Sequence, residues 1–240
     1  MKLFRTISLV LSVAAALCAS AQNSFQAASA KAQRFFDNHE WANASALYTM
    51  LIHEQPSSRD LYGKAIVVSS ILNDTVRCQQ LLRQALSYNV PLDSVMTDVK
   101  MYSFEARQPH LYENFLKRTA RDNEWMKRAI NAQLLKYYTF RSDAPEMEKY
   151  AQFMLKGSPD NSSFLLTLAQ SYMLQDKVPQ AVEIWQNIIA AHPDNYDAII
   201  NLANYHVLTG NSDAALPLYT KAYDLRPTPY VQAAIERLTP

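Results

Sequence analysis

Glycine is scarce in this chain of 240 residues, which contains only Gly63, Gly157 and Gly210. The phosphate-binding loop GxxxxGKS/T and the dinucleotide-binding turn GxGxxG each need several glycines within a few residues. The glycines of this chain match neither pattern, nor the GxSxG turn that presents a nucleophilic serine in many hydrolases. The sequence therefore excludes these three kinds of site.

Histidines with metal-binding spacing are also lacking. None of the five histidines lies four residues from another, so no HExxH-type pair can form on one face of a helix. The carboxylates of Asp143 and Glu146 stand where a helix is predicted to begin, and negative charge there favours the helix dipole. We therefore expect no catalytic residue, no metal ion and no cofactor.

Cysteine is almost absent as well. Cys18 lies in an apolar N-terminal segment, which leaves Cys78 as the single thiol of the remaining chain. A single thiol cannot form an internal disulfide, so packing must hold the fold together. Cys78 lies in the helix-periodic run VRCQQLLRQAL, which favours a buried side chain over a reactive thiol.

Long apolar runs and a strong net charge are missing too. No apolar run reaches the roughly 18 residues that a membrane-spanning helix needs, so we expect no transmembrane segment. The chain carries 23 basic and 22 acidic residues, for a net charge of +1. A near-neutral balance without long runs of one sign argues against nucleic acid as a partner.

The N-terminal segment, residues 1–21, has the organisation of a secretory signal. Lys2 and Arg5 precede an apolar run over residues 7–17, and the small residues ASA at positions 19–21 form a cleavage site. We therefore expect an exported protein, periplasmic or secreted. An alternative is lipid anchoring through Cys18, but Leu17 stands before it, where a lipoprotein signal needs a small residue.

One sequence pattern occurs twice, in succession, near the C-terminus. Residues 162–195 align without a gap on residues 196–229, a period of 34 residues. The aligned pairs are Leu165 with Ile199, Leu168 with Leu202, Ala169 with Ala203, Ala181 with Ala215, Trp185 with Tyr219, Ile188 with Ala222, and Pro193 with Pro227. Self-similarity at this period is typical of stacked-repeat proteins.

The same pattern can be followed towards the N-terminus. A clear copy occupies residues 25–58, and the 137 residues from Phe25 to Ser162 equal four periods plus one residue. We therefore predict degenerate units over residues 59–161, with a single-residue insertion near Val90 and Pro91. The pattern restarts over residues 230–240 and stops, which predicts a capping helix.

Helical periodicity, short polar turns and the absence of strand-like alternation predict an all-α fold. The period and the order of small and large residues resemble the tetratricopeptide repeat (TPR) family. The resemblance implies a right-handed superhelix of stacked antiparallel helix pairs, a TPR-type α-solenoid over residues 22–240. It would contain about six helix pairs and the C-terminal capping helix.

The resemblance also implies a binding surface, because the first helix of each TPR pair lines a concave face that commonly binds an extended peptide or a partner helix. Carried over to this chain, that face would be formed by Lys136, Phe140, Leu166, Gln170, Met173, Ile200, Asn204 and Val207. Its aliphatic groups and amides suit an apolar or amphipathic peptide. The family's clamp for a C-terminal carboxylate wants lysine where Leu166 and Ile200 stand, so we reject that clamp although Asn204 matches.

We interpret the chain as an exported TPR protein, not an enzyme, that acts as a protein- or peptide-binding adaptor in an envelope or extracellular assembly. Alternatively, a second copy of the chain would cover the same face, which would make a homo-oligomer. One alternative is an outer-membrane assembly-type TPR lipoprotein, acylated at Cys18. The other is an enzyme with a site in residues 91–128, where ionisable groups lie close in sequence: Tyr102, Glu105, Arg107, His110, Tyr112 and Glu113.

Overall fold

A computed structural model describes residues 22–239, and within them every element is helical and no strand occurs. The helices are α1 (22–37), α2 (Trp41–Glu54), α3 (Arg59–Ile71), α4 (Thr75–Ser87), α5 (Leu92–Glu105), α6 (His110–Asp122), α7 (Lys127–Arg141), α8 (Ala144–Leu155), α9 (Ser162–Leu174), α10 (Val178–Ala191), α11 (Tyr196–Leu208), α12 (Ser212–Leu225) and α13 (Pro229–Leu238), with a 3-10 helix, Glu124–Met126, before α7. Six pairs are thus followed by a single helix, and the predicted all-α fold is confirmed. The predicted signal segment lies outside the described residues. None of these helices is both long and apolar enough to cross a membrane.

The chain divides into two compact units between Thr119 and Ala120, inside α6. The N-terminal unit contains α1 to α5 and the first part of α6. The C-terminal unit contains the remainder, through α13. That residues 22–240 form one continuous repeat domain stays a prediction.

A left-handed residue marks the turn inside each helix pair. Backbone φ is positive, between 54° and 74°, at His39, Asn73, Arg107, Ser142, Asp176 and Gly210. The spacing is 34 residues throughout except between Arg107 and Ser142, where it is 35. The extra residue therefore lies in that interval, and the predicted insertion near Val90 and Pro91 is wrong. Pro91 is instead the N-cap residue of α5, and Asn89, also with positive φ, follows Tyr88, the C-cap residue of α4.

Small residues let the paired helices of the C-terminal unit approach each other closely. Four alanines of the repeat pattern are fully buried, namely Ala169, Ala181, Ala203 and Ala215. Trp185 of α10 packs with two of them and with Leu202 of α11, so one pair is joined to the next by a large side chain. Tyr219 of α12 takes the equivalent place in the last pair. Close packing of this kind leaves little slack, so the order of small and large residues sets the helix spacing.

Two first helices of the N-terminal unit, α3 and α5, pack directly against each other. Gly63 permits this approach, because a Cβ atom there would lie 2.5 Å from Cβ of Asp98. Asp98 is buried and accepts hydrogen bonds from Nε and Nη2 of Arg59, each at 3.1 Å. A bidentate charged pair of this geometry fixes the register of the two helices.

Cys78 is buried on α4, as predicted. Its Sγ lies 3.3 Å from Oγ of Ser70 and 3.5 Å from the carbonyl oxygen of Ile66. Burial raises the pKa of the Cys78 thiol, which keeps the sulfur protonated and poorly nucleophilic.

Candidate groove of the C-terminal unit

A groove of about 760 Å³ lies between α9 and α11. Five predicted partner-binding residues line it together: Leu166, Gln170 and Met173 from α9, and Ile200 and Asn204 from α11. They converge because residues three or four positions apart share one face of a helix. Among the described helices, α9 and α11 are not a closely packed pair, and the groove occupies the space between them.

Two smaller pockets extend this groove in both directions. One, of about 380 Å³, lies between α7 and α9, is lined by Lys136 and Phe140, and shares two residues of α9 with the central opening. The other, of about 450 Å³, lies between α11 and α13, is lined by Val207, and shares Asn204 and Leu208 with the central opening. The three openings adjoin along α7, α9, α11 and α13, and we call them together the first-helix groove. All eight predicted residues line it, while their role in binding stays a prediction.

Large apolar side chains are exposed along the first-helix groove. Phe140 and Leu208 each leave 81% of their surface exposed, Tyr230 leaves 56% and Val207 leaves 42%. Covering such side chains is favourable by about 25 cal/mol for each Å² of apolar surface removed from water. A contiguous exposed apolar surface edged by polar groups is typical of an interaction site.

Asn204 is held in one orientation at the junction of two of these pockets. Its Oδ1 accepts a hydrogen bond from the Tyr219 hydroxyl at 2.5 Å and another from the Tyr230 hydroxyl at 2.6 Å. Burial, and then the neighbouring Tyr230, raise the pKa of Tyr219, so the hydroxyl stays protonated and donates. Both lone pairs of the amide oxygen are used in this way, which leaves the amide nitrogen with two donors to offer.

Trp185 lines the central part of the groove although only 4% of it is exposed. Its indole Nε1 is buried and has no hydrogen-bond partner within the described residues. An N–H group without an acceptor in such a place lowers stability. This donor therefore lacks an acceptor within the described residues, and the nitrogen atom itself is not exposed to the groove.

Three charged residues line the first-helix groove at separate points. Lys136 lies in the pocket between α7 and α9, Asp197 in the central opening, and Arg237 in the pocket between α11 and α13. None of the three forms an ion pair or side-chain hydrogen bond within residues 22–239. Each charge is thus available to a ligand.

Where α1, α3 and α5 meet, the corresponding surface of the N-terminal unit is filled by its own side chains, whereas Met101 and Phe104 of α5 stay exposed. The ammonium group of Lys64 lies 4.9 Å from the ring centre of Tyr102 and hydrogen-bonds Gln33 of α1. Phe36 meets the same tyrosine ring edge-on at 6.2 Å. A pocket of about 290 Å³ also lies in this unit, beside Phe36 and His39.

The six ionisable residues singled out in segment 91–128 occupy different surroundings in the structure. Glu105 and Arg107 line the small pocket beside His39, whereas Tyr102 and Tyr112 are buried. Burial raises the pKa of Tyr102 to about 12. Glu113 is paired with Lys117 at 2.7 Å on the same helix, and His110 is exposed. Two of the six residues thus line one pocket, while the other four lie in the packed interior or on a helix surface.

Several groove residues were not predicted from the sequence. Asp197 and Asn201 lie three positions before Ile200 and Asn204, so the spacing that selected those two also selects their neighbours on the helix face. Tyr230 and Arg237 belong to α13, which the repeat pattern marks only as a cap. No sequence signal showed that this cap would contribute a wall of the groove.

Comparison with models of known protein families gives no match, and comparison with curated protein sequences gives none either. Solved structures do resemble the chain. PilW, described as a widely conserved type IV pilus biogenesis factor, is 14% identical, with 88% of this chain and 98% of PilW covered at a TM-score of 0.51. A tetratricopeptide repeat protein from Parabacteroides merdae is 12% identical, with 90% and 86% covered at 0.49.

The C-terminal part of a TPR protein from Cytophaga hutchinsonii is 14% identical, with 81% of this chain and 78% of that protein covered at a TM-score of 0.48. Similarity at such low identity concerns the fold alone. The all-helical chain is thus similar in fold to PilW, for which the TM-score is above 0.5.

Proposed function

We propose that the protein is a peptide- or protein-binding adaptor and that the first-helix groove is its binding surface. The observation that carries the proposal is the continuity of this groove along four helices, with exposed Phe140, Val207, Leu208 and Tyr230 beside amide groups. Apolar anchors combined with hydrogen-bonding groups are the means by which proteins hold extended or helical peptides.

The unsatisfied groups of the groove support the same proposal. The amide nitrogen of Asn204 has two N–H donors that are suited to the carbonyl oxygens of a peptide backbone. Catalytic chemistry, in contrast, needs a nucleophile or an acid–base pair, and the lining of the groove is composed mainly of aliphatic, amide and hydroxyl groups.

A pull-down with a paired set of variants tests the proposal. In the test variant, Phe140→Glu is combined with Leu208→Glu, which places two charges in the groove at residues that are largely exposed. We expect proteins captured from an extract of the source organism by the wild type to be lost. Stability should change by no more than about 0.5 kcal/mol, the usual range for surface substitutions.

The matched control combines Leu174→Glu with Leu225→Glu. These leucines are also exposed, at 51% and 42%, and they do not line the groove. The control should retain the captured proteins. If the test variant and the control capture the same proteins as the wild type, the groove is not the binding surface.

We further propose that this adaptor acts outside the cytoplasm, in an envelope or extracellular assembly. The support is the sequence of residues 1–21, with its basic start, apolar run and ASA cleavage pattern. Mass spectrometry of the protein isolated from its source should find an N-terminus at Gln22. An acylated Cys18 at the N-terminus would replace this proposal by a lipid-anchored protein, and an intact Met1 would remove both.

A further inference from the structure

The pocket between α11 and α13 differs from the rest of the first-helix groove in having both a fixed polar group and an unpaired cation. Its volume of about 450 Å³ lies in the range of sites that enclose a small chemical group. Val207, Leu208, Ala233, Ala234 and Leu238 give it apolar walls. One bulky apolar side chain is the occupant that such walls select.

Arg237 adds a charge requirement to that apolar pocket. The guanidinium group is exposed and forms no ion pair within residues 22–239, so its charge is uncompensated there. None of the other residues that line the pocket is charged. A carboxylate close to the apolar group of a ligand therefore complements this end of the groove.

Asn204 adds a requirement for a hydrogen-bond acceptor. The hydroxyls of Tyr219 and Tyr230 both bind its Oδ1, so the amide cannot turn over without losing two hydrogen bonds. Tyr230 belongs to α13, which means that the last helix positions a recognition group of α11. No group in the described chain accepts a hydrogen bond from the Asn204 nitrogen.

We propose that this pocket binds a peptide segment in which a bulky apolar residue stands within two positions of an acidic residue. The apolar side chain enters between α11 and α13, the carboxylate pairs with Arg237, and a backbone carbonyl accepts from the amide nitrogen of Asn204. The inference rests on the proposed function, since it assumes that the first-helix groove binds peptides. It makes α13 a part of the binding site as well as a cap.

The test is an array of random short peptides, probed with the purified wild-type protein and with Arg237→Glu. Peptides bound by the wild type should be enriched in Leu, Ile, Phe or Met with Asp or Glu within two positions. Arg237→Glu should reverse the second preference, so that Lys or Arg replaces the acid beside the same apolar residue. The control Lys156→Glu changes an exposed cation outside the groove and should leave both preferences unchanged.

Affinities for one enriched peptide then separate the contributions of the polar groups. Arg237→Gln should weaken binding about two- to fivefold, the size of an exposed ion pair. Asn204→Asp, which turns the amide donor into an acceptor of nearly equal shape, should weaken binding roughly tenfold, as expected when a buried hydrogen bond is lost. Tyr230→Phe should weaken it by less, because the second tyrosine still holds the amide.

Three results would overturn the inference. These are an apolar motif without an acidic neighbour, an acidic preference that persists in Arg237→Glu, and the absence of any enriched peptide. The first two leave the groove as a binding surface and remove only the specificity assigned to this pocket. The pull-down with Phe140→Glu and Leu208→Glu tests separately whether the groove is the binding surface at all.

Discussion

The two units build different surfaces from the same repeat period. In the N-terminal unit, α3 lies directly against α5, and the pair of Arg59 with Asp98 joins them. In the C-terminal unit, α9 and α11 stand apart, and the space between them is a groove of about 760 Å³. The period sets the order of the helices, while a few residues on the first helices decide whether a groove remains.

One repeat position illustrates this difference. Gly63, Leu166 and Ile200 each lie ten residues before the left-handed residue of their own turn, namely Asn73, Asp176 and Gly210. In α3 the position has no side chain, and the neighbouring first helix approaches until Asp98 would touch a Cβ atom there. In α9 and α11 the same position carries a large aliphatic group that lines the groove.

The largest effect that we predict concerns the C-terminal unit, in which the groove lies between α9 and α11. Trp185→Ala should lower the free energy of unfolding by about 3 to 5 kcal/mol, because it removes a large buried side chain and leaves a cavity between two pairs. Denaturant unfolding followed by circular dichroism measures this loss. Trp185→Phe should cost less, since the ring is retained and the lost N–H has no partner in the described chain. An unfolding midpoint unchanged in Trp185→Ala would contradict the packing assigned to this residue.

The next prediction concerns the N-terminal unit, in which α3 and α5 pack directly against each other. Gly63→Ala should lower stability by about 1 to 3 kcal/mol through overpacking against α5, although alanine favours a helix over glycine by about 1 kcal/mol. The control is Gly157→Ala, whose new Cβ would meet the flexible end of Arg128 rather than a helix backbone. If Gly63→Ala is as stable as the wild type, close approach of α3 and α5 does not explain why this surface is closed.

The smallest effect compares one turn in each unit. Gly210 has φ of 74°, and a Cβ atom added there would have no neighbouring atom within 4 Å, so Gly210→Ala should lose about 1 kcal/mol from backbone strain alone. Arg107 adopts φ of 58° at the equivalent turn, and Arg107→Gly should gain a similar amount. Thermal unfolding of the two variants measures both signs. If both substitutions change stability in the same direction, these turns are not equivalent positions of one repeat.

The clear repeats allowed much of the fold to be predicted, because small and large residues recur at fixed positions in residues 162–229. The helix pairs of the degenerate region were predicted from the period alone. The position of the extra residue was not predicted, because the turns that locate it are recognised by their left-handed backbone conformation and not by residue type. Histidine, asparagine, arginine, serine and aspartate all occupy the left-handed turn position, and glycine does so once.

The groove was predicted only in part, because helical spacing predicts which residues share a face but not which distant residues meet. Residues on the predicted inner face of α9 and α11 follow from helical spacing, and they do line one opening. Closure of the N-terminal surface depends on contacts between distant parts of the chain, such as Lys64 with Gln33 and Arg59 with Asp98. Position in a repeat does not reveal such pairs, nor the bond from Tyr230 to Asn204.

Hydrogen exchange of the protein with and without a captured partner tests most directly that the C-terminal unit carries the binding surface. Binding should slow exchange in α9, α11 and α13, because a ligand in the first-helix groove covers and rigidifies those helices. Exchange in α1 and α3 should stay the same, since side chains of the N-terminal unit already fill the surface between these helices. Protection confined to the N-terminal unit would contradict the account.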